Sequence, residues 1–403
     1  MIPSVSGARI EAERVGLLSF EHVLCDVSRC PLEWVSRQSE HTQRRRRDVD
    51  VAALESAGAL RLDPRASPAN LRLDSVAVAA RELRVLEDQL EKDEHVAVVA
   101  DVTTVDEGAD VEGLRRVDEL LGRVHVVRGA STARAASDDV DAAARALRRQ
   151  FLAVEKAAFI SVKLLGGELD SLDSLDVDGR LLAAAKAASG GRVLVVVTLP
   201  RAESDDALRL AARAARAALG DDDTPTLLRS PRRSVVDSPG AYVVVDGFGR
   251  PFEADHFSDL ARLAAAKKRK DRALLSVGVR HKNQLLTFGG FGYAYAAELL
   301  LSVGDDDDDE TRRLLLANPN VVRALCVAVE PKVEPVRVPT VRCSLCDGAF
   351  PRLDSRQKKG GGGFYYAKYD YVYCGRPCLD RHRLAGFAAT DLAGPLASAQ
   401  KLY

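Results

Sequence analysis

The chain alternates between short runs of β-branched and aliphatic residues and longer Ala/Leu/Arg-rich stretches. Runs at 96–102, 124–127, 159–164, 192–199, 241–245 and 273–277 are apolar almost throughout, not at every second position. A strand of that composition is covered on both faces, as in a parallel sheet flanked by helices. The stretches 75–92, 111–121, 140–155, 181–188, 205–219 and 257–268 are expected to be helices. In the first, Val76, Ala79, Leu83, Leu86 and Leu90 fall near helical spacing. Repetition of this strand–helix unit predicts an α/β protein, a (β/α)8 TIM barrel over residues 1–328, rather than an open doubly wound sheet. No Gly-x-Gly-x-x-Gly opens a helix after a strand, so nothing points to a dinucleotide.

The pattern changes after the barrel. Glu330-Pro-Lys-Val-Glu-Pro-Val-Arg-Val-Pro339 is extended and proline-spaced, which reads as a linker over 329–340. A compact module is expected at 341–386 and a tail at 387–403. The acidic run 305–309 reads as a solvated loop, and the glycines 360–363 as a flexible insertion in the module.

Composition narrows the partners. The 403 residues are 46% hydrophobic, enough for a large core. A net charge of −1 leaves no electrostatic footprint for nucleic acid. The basic runs 44–47 and 267–270 lack the interleaved aromatics of a strand-binding surface. No apolar stretch has membrane-spanning length, and the amino terminus lacks the regions of a secretory signal. The expectation is a cytoplasmic protein with no nucleic-acid or membrane partner.

Four of the seven cysteines lie in the carboxy-terminal module. Cys343 and Cys346 form C-x2-C, and Cys374 and Cys378 form C-x3-C. Two close thiolate pairs complete a tetrahedral sulfur site, and four protein ligands leave no open position for water, so the expected cofactor is one structural zinc. His382, on an expected helix at 379–386, is the alternative fourth ligand. The competing reading is a set of small buried cysteines. Cys25 and Cys30, at C-x4-C, are not a compelling ligand pair.

Several barrel segments resemble, in order, those of the phosphotriesterase-related family of amidohydrolase barrels. Ser4-Val-Ser-Gly-Ala-Arg-Ile-Glu-Ala-Glu-Arg-Val-Gly16, then Leu17-Leu-Ser-Phe-Glu-His22, is similar to that family's opening, where a turn leads into a strand ending Thr-His-Glu-His. Ala69-Asn-Leu-Arg-Leu-Asp74, Val99-Ala-Asp-Val-Thr-Thr104 and Tyr242-Val-Val-Val-Asp-Gly-Phe-Gly249 resemble later segments. Residues 273–293 resemble its Leu-Ser-His-Asp, Lys-x-x-Leu and Gly-Gly-His-Gly-Tyr steps, and 314–319 its closing Asn-Pro helix. The resemblance implies a di-metal hydrolase whose metals activate a bridging water. The implied ligands are a first-strand His-x-His pair, a bridging residue on strand four, one histidine each on strands five and six, and an aspartate on strand eight.

Most of those positions differ here. The first-strand pair is Phe20 and His22; strand five offers Val197 or Thr198; strand six offers Ser230; strand eight offers Gly278; and the Gly-Gly-His-Gly-Tyr histidine is Phe291. Lys163 is the candidate bridging lysine, with Val162 and Ser161 as alternative registers. Phe, Val and Gly present no lone pair, so the resemblance leads to a catalytically degenerate barrel with its metals absent, retaining His22 and Lys163. The bland reading makes His22 a packed mouth histidine and Lys163 a paired structural lysine. Asp101, Asp246, His256 and His281 lie near expected strand ends, where barrel function collects. Asp101 and Asp246 either meet across the mouth or bond to loop amides.

Three readings follow. The first is a binding or scaffold protein with structural zinc and an unidentified small-molecule ligand at the mouth. The second is a metal-dependent hydrolase of phosphate esters, lactones or N-acyl amides with a rearranged site. The third is an adaptor whose module takes a protein partner, since its Tyr-Cys-x3-Cys-x3-His ending resembles treble-clef fingers. In that case the aromatics at 364–366 and 369–373 form either a recognition surface or the small core around zinc.

Overall fold

A computed structural model describes residues 1–29, 60, 67–90, 94–134, 137–152, 157–164, 172–199, 205–220, 224–230, 240–249, 256–303, 309–326, 340–342, 349–351, 366–368 and 371–373. The chain forms two units, Met1–Val329 and Glu330–Tyr403.

The first unit is built on eight strands: β1 (Val15–Glu21), β2 (Val96–Asp101), β3 (Val124–Ala130), β4 (Phe159–Lys163), β5 (Val195–Thr198), β6 (Thr226–Ser230), β7 (Tyr242–Val245) and β8 (Ala273–Leu275). Neighbours in sequence pair in parallel from β1 to β8, giving an eight-stranded sheet in chain order. The helices are α1 (Val76–Arg84), α2 (Val111–Glu119), α3 (Val140–Leu152), α4 (Leu172–Ser189), α5 (Asp205–Leu219), α6 (His256–Lys267), α7 (Tyr295–Val303), α8 (Asp309–Leu316) and α9 (Pro319–Cys326). This is a TIM-barrel-like α/β fold.

Strand parity divides the core. Leu18, Phe20, Val98, Ala100, Val127, Phe159, Leu194, Val196, Leu227, Val244 and Leu274 form one buried cluster inside the barrel. The alternate residues Ile160, Val162, Val195, Val197 and Leu228 pack outward with apolar residues of α3, α4 and α5. Both faces of each strand are therefore covered, which is why the strands read as continuous apolar runs. Inside, Phe20 meets Phe159 edge to face, with centroids 6.0 Å apart. Gly129 lies beside them because a Cβ there would stand 2.7 Å from the Phe159 ring.

Several boundaries moved. The helix expected over 75–92 is α1 followed by a 3₁₀ turn at Val85–Gln89. Ser75 caps α1 by accepting the Val78 amide at 3.3 Å. Helix α4 begins well before 181, and α7 to α9 extend the helical layer beyond the six expected helices. Asp309, read as part of a loop, begins α8; residues 304–308 lie outside the described set.

Strands β1 and β8 meet without a regular backbone ladder. Glu21 bridges them instead, its carboxylate accepting the Val277 and Val279 amides, both at 2.8 Å. The Ser276 hydroxyl donates to the Phe20 carbonyl at 2.8 Å, and the His22 amide donates to the Val279 carbonyl at 3.4 Å.

In the second unit, β9 (Thr340–Arg342) and β10 (Ala349–Pro351) pair antiparallel, as do β11 (Tyr366–Lys368) and β12 (Tyr371–Tyr373). The ligand candidates Cys343, Cys346, Cys374, Cys378 and His382, and the helix expected at 379–386, lie outside the described residues. No helix among the described residues is long and apolar enough to cross a membrane.

Candidate functional site at the barrel mouth

The carboxyl ends of the strands carry a buried polar cluster. Parity resolves the alternatives left by sequence. On β4, Val162 packs outward, leaving Ser161 and Lys163 on the inner face; on β5, Val197 packs outward and Thr198 is inward. On β6 the inward position near the strand end belongs to Arg229, because Leu227 faces the interior and the parity continues.

His22 is 1% exposed. Its Nε2 lies 3.1 Å from Arg229 Nη1 and 3.2 Å from Arg280 Nε. Guanidinium nitrogens only donate, so Nε2 is an acceptor and the ring proton resides on Nδ1. Nδ1 lies 3.2 Å from Thr103 Oγ1, and the Thr103 hydroxyl donates to Asp101 Oδ1 at 2.7 Å. Burial, reinforced by the positive charges of Arg280, Arg229 and Lys163, outweighs the attraction of Glu107 and lowers the His22 pKa well below its ordinary value. The imidazole is neutral, with its free lone pair facing two cations.

Arg229, 1% exposed, donates through Nε to Asp246 Oδ2 at 2.9 Å. Lys163 Nζ pairs closely with Glu107 Oε1, and Arg280 Nη2 approaches the same oxygen at 3.4 Å. Glu107 also accepts the Thr104 amide at 3.1 Å and hydroxyl at 3.0 Å, closing a capping box on the turn Val105–Glu107. Burial alone would raise the Glu107 carboxyl; Lys163 and the other neighbouring cations outweigh it and hold the pKa far below the usual range.

Asp101 and Asp246 do not form a pair. Asp246 serves Arg229, while Asp101 accepts the Val23 amide at 2.9 Å and the Thr103 hydroxyl. His281 starts a 3₁₀ turn, its amide donating to Gln284 Oε1 at 3.0 Å, and His256 begins α6. Cys25 is buried in a short strand pair with Leu73, and burial raises its thiol pKa; Cys30 lies outside the described residues.

Burial, partly offset by those hydrogen bonds, pushes the Asp101 pKa up to about 7. Folded Asp101 then keeps its proton to higher pH than the unfolded chain, whose aspartates titrate at about 3.9. The stabilisation is complete below the unfolded pKa and is lost as pH rises through the folded one. An asparagine in its place would keep the oxygen that both donors use but would not titrate. The stability of Asp101→Asn relative to wild type should therefore rise by about 2 kcal/mol between pH 5 and pH 8. Denaturant unfolding at both pH values checks this, and a pH-independent difference would exclude the shift.

A metal centre of the kind implied by the sequence resemblance does not fit this donor set. Phe20 offers no ligand, the His22 lone pair is engaged by Arg229 and Arg280, and Gly278 has no side chain. A carbamate on Lys163 would set a second negative charge beside Glu107. Among the described residues, no group of three or more His, Cys, Asp and Glu side chains is placed to hold a metal.

No family model and no curated protein matches the chain. Solved structures do. A resiniferatoxin-binding protein from Rhodobacter sphaeroides superposes with a TM-score of 0.59 at 23% identity, over 80% of this chain and 94% of that one. The phosphotriesterase homology protein from Escherichia coli gives 0.54 at 16% identity, over 76% and 97%. A lactonase from Listeria monocytogenes gives 0.51 at 14% identity, over 81% and 98%. At these identities the likeness establishes a shared barrel fold.

Sequence reasoning named His22, Lys163, Asp101 and Asp246 but missed Glu21, Glu107, Arg229 and Arg280. Two signals were available. Thr104-x-x-Glu107 is a capping-box spacing, and Arg229 is a charge that directly follows the apolar pair Leu227-Leu228.

Proposed function

We propose that the barrel is a catalytically silent relative of phosphotriesterase-like and lactonase barrels that acts as a binding or scaffold protein. The observation that carries this reading is the Arg229 guanidinium on Nε2 of His22, the nitrogen a metal would need. The same contact removes His22 as a general base, because its acceptor nitrogen is covered by cations. Thr103 and Asp101 orient the ring without exposing it.

The second unit is read as a structural zinc module that offers a protein-binding surface. Its support is local. The Arg342–Ala349 pairing brings together the ends of a connection whose sequence contains Cys343 and Cys346, and Cys374 directly follows β12. Paired thiolates persist in a reducing compartment, consistent with a cytoplasmic setting.

The test compares the full chain with a variant carrying Ser at 343, 346, 374 and 378. Elemental mass spectrometry should find one zinc per wild-type chain and none in the variant. Neither protein should accelerate hydrolysis of a phosphotriester, a lactone or an N-acyl amide, with or without added divalent metal. Metal retained by the variant, together with hydrolysis abolished by chelation, would establish the alternative: a hydrolase with a rearranged site.

A further inference from the structure

The centre of the barrel already contains a cation, and it belongs to the chain. A fully buried guanidinium requires compensation on more than one side. Arg229 has it: Asp246 Oδ2 accepts from Nε at 2.9 Å, and His22 Nε2 faces Nη1 at 3.1 Å. The neighbouring strand end makes room. Gly278 has φ +73°, and a Cβ there would stand 3.0 Å from Asp246 Oδ2 and 3.3 Å from Arg229 Nη2. Where the sequence resemblance leads one to expect a liganding aspartate, the Arg229–Asp246 pair occupies the space. Thus Arg229, Asp246 and the absent side chain at 278 share one packed space.

We propose that Arg229 is a built-in, non-exchangeable cation occupying a socket made by His22, Asp246 and Gly278, and that this socket is complementary to a planar guanidinium group rather than to a divalent metal. The shape argument is specific. One carboxylate oxygen and one imidazole lone pair meet two donors of a rigid fork, a geometry that a spherical ammonium does not reproduce. Two liganding side chains also fall short of the three or four that a protein zinc site takes. The socket goes beyond the loss of catalysis: hydrolysis found at some other part of the mouth would defeat the silent-barrel reading and leave the socket standing.

The experiment is chemical rescue in the full-length protein. Arg229→Ala should lower the Tm of the barrel transition by about 5–10 °C, the scale of a broken buried pair. Guanidinium chloride, kept far below denaturing concentration, should restore part of that loss saturably in Arg229→Ala and not in wild type. Equal sodium chloride or urea should restore nothing. An unchanged Tm in Arg229→Ala, equal rescue by sodium chloride, or rescue by Zn²⁺ or Mn²⁺ in place of guanidinium overturns the proposal. If Arg229→Ala does not accumulate folded, wild type decides by titration with Mn²⁺, followed through the electron paramagnetic resonance of the free ion. An undiminished signal supports a filled socket, and stoichiometric uptake abolished by Asp246→Asn overturns it.

Discussion

Glu21→Ala is expected to remove a large fraction of the stability of the barrel. Glu21 is 0% exposed and joins the first and last strands with its side chain. Its two oxygens accept the Val277 and Val279 amides, and the Ser19 hydroxyl donates to the same carboxylate at 2.6 Å. Val277 and Val279 are 2% and 0% exposed, so bulk solvent does not reach their stranded amides. Each stranded buried donor costs about 1–3 kcal/mol, giving a loss of about 3–6 kcal/mol with the vacated space included. Domains of ordinary stability have about 5–15 kcal/mol in total, so the loss is about a third or more of a typical one. Glu21→Gln should fall between, since one oxygen remains while its amide nitrogen confronts a backbone N–H. Denaturant unfolding of the three proteins checks the order. A Glu21→Ala protein within about 1 kcal/mol of wild type would mean that the seam closes without the carboxylate.

Much of this architecture was legible in the chain, and the omissions have physical causes. The apolar runs at 96–102 and 159–164 became β2 and β4 almost residue for residue, because strands covered on both faces are apolar over most of their length and only Asp101, Ser161 and Lys163 interrupt them. Strand β6 runs Thr226-Leu-Leu-Arg-Ser230, with only two apolar residues, so hydrophobic periodicity alone does not single it out. The amino-terminal part of α4, with Asp173, Asp176, Asp178 and Gly179, looks like a turn by composition but is helical. Tertiary packing of its second half overrides local preference. In the site, sequence located His22 and Lys163 and left their partners open. Glu107 reaches Lys163 across 56 positions, and Arg229 reaches His22 across 207, distances at which spacing rules carry no information. Strand parity then decides between neighbours such as Thr198 and Val197, and a one-residue slip reverses the answer.

The polar cluster is held from many sides. His22 is fixed through both ring nitrogens and through its carbonyl, which accepts the Tyr293 hydroxyl at 2.9 Å. Glu107 draws together Thr104, Lys163 and Arg280 from the turn after β2, from β4 and from the segment after β8. A hydrolytic centre needs an open coordination position and a base free to take a proton. Here the central lone pairs are already engaged by cations of the chain itself.

Asp246→Ala should cost about 3–5 kcal/mol, because it leaves the Arg229 charge buried without its counterion. Asp246 and Arg229 side chains are each 2% exposed, so solvent cannot take the place of the missing carboxylate. Arg229→Met removes the charge and keeps most of the volume, yet alone it takes from the buried Asp246 carboxylate the guanidinium that donates to it, and so is also destabilising. The double variant removes both charges. It should be less destabilised than the sum of the singles by about 2–3 kcal/mol, the coupling expected for groups in one buried network. Equilibrium unfolding of wild type, both singles and the double completes the cycle. Additive losses would mean that the 2.9 Å contact contributes no pairwise stabilisation and that the burial of Arg229 has another cause. Strong coupling would show that the two charges act as one element, so that neither strand end can change alone.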